Sequence, residues 1–93
     1  MEKTIIAQFF IKPECVEAFK TLTVELIKKT REESGNLFYQ LYQSVENPTD
    51  FVFNEIFKDQ ENFDFHLNTE HFKTFANALK EMEYKASVVK ILI

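Results

Sequence analysis

Residues 4–11 read Thr-Ile-Ile-Ala-Gln-Phe-Phe-Ile. β-Branched and aromatic residues dominate this run, which predicts a strand. Alternation puts Ile5, Phe9 and Ile11 on one face and Ile6 and Phe10 on the other. A strand apolar on both faces belongs in the middle of a sheet that is covered on both sides. A chain of 93 residues makes one small domain, with helices enough to cover one face of a sheet. The second face then needs a partner, because an apolar patch of that size is not left in water.

The rest of the chain supplies the covering layer and the neighbouring strands. Pro13 stands where a first helical residue belongs, with φ preset and no N–H to waste. Glu14 and Glu17 suit the first turn. Val16, Phe19, Leu22 or Thr23, Leu26, Ile27 and Thr30 follow at helical spacing. Lys28, Lys29 and Arg31 favour the far end, and Glu25 can pair with Lys29. Gly35, the only glycine, is expected to end this helix in the left-handed conformation.

Leu37–Val45 and Phe51–Phe57 predict the second and third strands, joined by a turn at 46–50 around Asn47-Pro48. In the third strand Phe51, Phe53, Glu55 and Phe57 share one face. Asp59 suits the N-cap of a short helix over 60–67. Asn68 or Thr69 caps another over 70–82, striped by Phe72, Phe75, Ala76 and Leu79. Tyr84–Ile93 predicts the last strand. The order β-α-β-β-α-(α)-β is the ferredoxin-like split βαβ arrangement, an α+β fold with an antiparallel sheet and helices on one face. With no repeat or linker, residues 1–93 read as a single domain.

Composition removes several function classes. Net charge is −4 and the basic residues are scattered, which argues against nucleic acid as a partner. Cys15 is alone and cannot pair within the chain; it reads as an inert residue. One glycine leaves no room for a glycine-rich phosphate loop. No stretch reaches the ~20 apolar residues of a membrane span, and the start Met-Glu-Lys-Thr has no signal-peptide core, so a soluble cytoplasmic protein with no membrane partner is expected.

Three segments carry a family resemblance: Thr30-Arg31-Glu32-Glu33-Ser34-Gly35-Asn36-Leu37-Phe38-Tyr39, Glu55-Ile56-Phe57-Lys58-Asp59, and His66-Leu67-Asn68-Thr69-Glu70-His71-Phe72. They resemble the antibiotic biosynthesis monooxygenase domain, in its small quinol-monooxygenase-like branch. That family shows Arg-x-Glu-Pro-Gly-x-x-x-Tyr, Glu-x-Trp-x-Asp and His-x-x-(Ser/Thr)-x-His-(Phe/Leu). Here Ser34 replaces the proline and Phe57 the tryptophan, the second of which alters the pocket wall. The resemblance covers nearly the whole chain. It implies a homodimer whose two sheets pack face to face, a dimeric α/β barrel. It also implies oxidation of a small phenolic or quinol substrate with molecular oxygen, with no cofactor and no metal. Other members degrade haem, isomerise small sugar-derived signals or have no known substrate. The haem-degrading branch resembles this one in fold but uses a strand-one asparagine, a tryptophan and a histidine; this chain has none in strand one, His66 at the tryptophan position and Ala76 at the histidine position. A dimeric barrel that binds a small ligand without turnover is the alternative.

His66 is the expected catalytic base. An imidazole titrates near neutral pH and can take and return a phenolic proton. The competing reading makes it a hydrogen-bonded residue on the apolar face of a short helix, with Phe63 and Leu67. Glu55, in line with Phe51, Phe53 and Phe57, is not expected to be buried without a partner. It is expected to orient His66 or raise its basicity, or else to make a structural pair. His71 is five residues from His66, a spacing that splays two side chains apart on one continuous helix. It reads as a first-turn or dimer-contact residue. Two histidines and a distant cysteine make a weak metal set. Tyr39, Phe53, Phe57, Phe63 and His71 are the expected substrate contacts. Eleven phenylalanines suit a pocket for a small aromatic or quinone-like ligand, and suit a plain core equally.

Overall fold

A computed structural model describes residues 1–92. Strand β1 (Lys3–Ile11) is followed by a 3₁₀ turn at Pro13–Cys15 and helix α1 (Val16–Arg31). Strands β2 (Asn36–Gln43) and β3 (Asp50–Phe57) come next, then α2 (Gln60–Leu67), α3 (Glu70–Leu79) and β4 (Glu83–Ile91). The sheet order is β2-β3-β1-β4 and every pairing is antiparallel. This is the expected α+β ferredoxin-like arrangement. The end of the expected last strand, Ile93, lies outside the described residues.

One face of the sheet is the core. Ile5, Ala7, Phe9 and Ile11 of β1 and Phe51, Phe53, Glu55 and Phe57 of β3 are all buried beneath the helices. α1 contributes Phe19, Thr23, Leu26 and Thr30 and α3 contributes Phe75 and Leu79, residues of the two apolar stripes. Phe9 is central, with ring centroids 5.9 Å from Phe53 and 5.7 Å from Phe75, both edge-on. Such aromatic pairs contribute ~0.5–1.5 kcal/mol beyond the area they bury.

The opposite face has no covering layer. It carries Ile6, Phe10, Val52 and Ile56, half-buried by their neighbours, and exposed Phe38, Tyr42 and Val88. The two-faced apolar pattern of β1 is therefore real, and helices account for one face of it. No helix among the described residues is long and apolar enough to cross a membrane.

Two local expectations need correction. Gly35 does not have a positive φ. α1 ends at Arg31 by tightening: Glu32 N–H donates to the Lys29 and Thr30 carbonyls, and Glu33 N–H to Thr30. Gly35 is needed for space instead, since a Cβ there would lie 2.0 Å from Asn62 Oδ1 and 2.4 Å from Asn62 Cβ. α3 stops at Leu79 rather than Met82, because Lys80–Met82 turn the chain so that Lys12 N–H can donate to the Met82 carbonyl.

Candidate active site

The site forms where α2 crosses the end of the β1–β3–β2 sheet. Asp59 starts α2 as expected, accepting from Asn62 N–H at 2.9 Å and Asn62 Nδ2 at 2.8 Å. These bonds hold its carboxyl below the usual carboxylate range. Asn62 is the residue that Gly35 makes room for, and His66 follows one turn later. Thr69 then serves both helices. Its hydroxyl donates to the His66 carbonyl at 2.7 Å and accepts from Phe72 N–H at 3.2 Å, ending α2 and capping α3. That break swings His71 back, so its ring centroid lies 6.1 Å from that of His66. The five-residue spacing does not separate them, because no single helix spans it.

His66 is 1% exposed. Phe57, Phe72 and Tyr39 surround its ring at centroid distances of 5.1, 5.1 and 5.5 Å. Its Nδ1 lies 2.9 Å from Glu33 Oε2, and the same oxygen lies 2.6 Å from His71 Nε2. Glu33 is therefore the carboxylate that orients His66. Glu55, expected in that role, makes no hydrogen bond to His66. With Nδ1–H given to Glu33, the lone pair is on His66 Nε2, which is buried with no partner. Burial pushes the basicity of His66 down, and His71 adds to this, against the opposing pull of the Glu33 bond. The expected upward shift is outweighed because the ring has left water.

His66 lines a cavity of about 190 Å³ between the sheet and α2–α3. Tyr39, Phe53, Glu55 and Phe63 line it too, with Phe75 and Val89 among the remaining walls. Phe57 and His71 do not. Phe57 is wholly buried behind His66, and His71 lies beyond Glu33, facing a surface depression. Glu55 sits between its cross-strand partners Ile5 and Tyr39. Burial first and neighbouring Glu33 second push its carboxyl up to about 8, and burial with Glu55 nearby raises the Tyr39 phenol well above its usual value.

Sequence reading missed Glu33. Its signal was present in Arg31-x-Glu33-Ser34-Gly35, yet nothing local marks this turn carboxylate as buried. Among the described residues, Glu33, His66 and His71 are also a set whose donor atoms fall within 4.8 Å of one another. Their contacts of 2.6 and 2.9 Å are hydrogen-bond separations, shorter than the roughly 3.3 Å between ligands on a tetrahedral ion with 2.0 Å bonds. The geometry is that of groups sharing protons.

Comparison with known proteins agrees with this architecture. Residues 4–78 match the family model described as Antibiotic biosynthesis monooxygenase. YcnE of Bacillus subtilis (strain 168) is 36% identical over 80 residues, spanning 84% of each chain. A crystal structure of an antibiotic biosynthesis monooxygenase superposes with TM-score 0.94 at 35% identity, covering 100% of this chain and 97% of that one. A conserved protein from Methanosarcina mazei Go1 gives TM-score 0.94 at 33% identity, covering 98% and 90%.

Proposed function

The chain belongs to the antibiotic biosynthesis monooxygenase family, and from that premise we propose that it oxidises a small phenolic or quinol substrate with molecular oxygen. One observation carries the reading: the unpartnered, buried His66 Nε2 belongs to a side chain that lines an apolar cavity. A base held in one tautomer by a carboxylate, with its other nitrogen free, is the arrangement that proton abstraction requires.

The chemistry follows from the phenol. His66 Nε2 takes the hydroxyl proton while Glu33 holds Nδ1–H. The phenolate gives one electron to oxygen, and the phenoxyl radical and superoxide combine at a ring carbon. The peroxide takes the proton back from His66. Loss of the ring C–H proton with the distal oxygen releases water and leaves a quinone. One substrate and one oxygen molecule give one quinone and one water, so no external reductant or bound cofactor is drawn on.

The cavity supports a single aromatic ring. An apolar cavity of ~150 Å³ holds benzene, and this one measures about 190 Å³. Glu55, pushed up to about 8, is a neutral carboxylic acid at pH 7 and can donate to a second oxygen on the ring. A dihydroxylated ring suits both groups. The subunit is proposed to work as a homodimer, with the open sheet face around Ile6, Phe10, Phe38 and Val88 packed on its copy.

Oxygen uptake with a panel of single-ring hydroquinones tests the reading. Uptake should fall by ~10²–10⁴ in His66→Ala. Full activity in that variant, or ligand binding without any uptake by the unaltered protein, would leave a binding protein instead.

A further inference from the structure

The Glu33 side chain is only 5% exposed. A carboxylate so far from water needs a counter-charge. Its ion-pair partners among the described residues are His66 and His71, with no lysine or arginine. The cations nearby are engaged elsewhere: Lys29 lies 3.5 Å from Glu25, and Arg31 donates to the Tyr39 carbonyl at 3.0 and 2.7 Å. The counter-charge within reach is an imidazolium. Both rings cannot carry it together, because one carboxylate would then face two cations whose rings are 6.1 Å apart.

We propose that His66, Glu33 and His71 form one unit holding a single excess proton, in which His66 collects a proton from the cavity and His71 releases one to solvent. The unit runs from inside to outside. His66 lines the cavity, Glu33 bridges, and Glu33 and His71 line an open surface depression with Lys29, Thr69 and Glu70. At rest His66 carries Nδ1–H and His71 carries both ring protons. A proton arriving at His66 Nε2 makes the imidazolium there, and the Nδ1 proton of His71 passes to water; His71 takes one back from water when His66 gives its proton to the peroxide. Glu33 stays a carboxylate throughout, and the unit stays neutral before and after. Burial disfavours charge on His66, which places the resting proton on the outer ring. The other ionisable groups facing the unit are Glu55 and Tyr39 on the sheet, Glu70 at the start of α3, and Lys29 and Glu32 at the end of α1.

The release role rests on His66 being the base, but the sharing of one proton can be tested without substrate. Long-range ¹H–¹⁵N spectra of the imidazoles are recorded from pH 4.5 to 8.5. Both rings should show two shared steps as pH falls, the mark of one proton held between them. In His71→Gln, His66 should titrate in one step, moved up by about one pH unit because the competing cation is gone. An unchanged His66 titration in that variant overturns the proposal. For release, turnover of His71→Gln should fall about tenfold in dilute buffer and recover with added imidazole. A coupled titration with turnover independent of His71 and of buffer supports sharing and overturns release. A coupled titration with no turnover in the unaltered protein counts against the base, not against the shared proton.

Discussion

Glu33 Oε2 lies 2.9 Å from His66 Nδ1, joining two residues 33 apart in the chain. The carboxylate fixes the ring tautomer that leaves Nε2 free. Glu33→Gln keeps the shape but offers an amide that can turn its NH₂ towards the ring and favour the wrong tautomer. Activity on a hydroquinone should fall by about 10² or more, with the fold retained by circular dichroism. Near-normal kcat in this variant would remove Glu33 from the mechanism.

Gly35 supports the same bond from a distance. A methyl group there would overlap Asn62, one turn before His66, so α2 must move outward. Gly35→Ala should destabilise the protein by ~1–3 kcal/mol in urea unfolding, as overpacking does. Asn62→Gly removes the Cβ in the way as well as the amide, so Gly35→Ala should cost less in that background. If Gly35→Ala costs as much with Asn62→Gly as without it, the clash is not the cause.

Glu55 sets a slope of stability with pH. Its folded value is raised from 4.5 to about 8, so the folded state keeps a proton that the unfolded chain has lost. The stability it contributes is full below about 4.5 and is lost as pH rises towards about 8. Glu55→Gln should flatten the decline and gain on the unaltered protein at pH 8. Denaturant melts at pH 5, 6.5 and 8 measure this, and parallel curves for the two proteins would refute it.

His66 has the opposite pH dependence. Its basicity is lowered by burial, so protonation at acid pH favours the unfolded chain and the base is neutral at pH 7. kcat/KM should rise with pH through an ionisation below the ordinary histidine value and level off. A midpoint above pH 7 would mean that Glu33 outweighs burial.

The uncovered sheet face should hold a second copy. Val88→Glu places a charge on that face, on the edge strand β4 opposite Gln8. Sedimentation equilibrium should show a micromolar dimer for the unaltered chain and a monomer for the variant. A stable monomer in both cases would assign that face to something else.

Much of this was legible along the chain. The 2.0-residue alternation of β1 and β3 and the 3.6-residue stripes of α1 and α3 report burial, and burial is what folds the sheet against the helices. Asp59 announced the start of α2 because capping is local. Phe63 placed His66 on the inward face by the same periodicity. Those signals act over a turn or two, so one sequence carries them.

The partners of His66 were decided by tertiary structure. Glu33 looks like any acidic residue after a helix end; it is buried only because α2 closes over the Gly35 turn. His71 looks remote from His66; it returns only because Thr69 breaks one helix into two. Glu55 looked like the natural partner, being on the buried face of β3, yet it lines the cavity, where burial pushes its carboxyl up to about 8. Periodicity says which side of an element leaves water. Which charges then meet depends on how the elements close in three dimensions, and the free energy of a buried charge is set by those meetings.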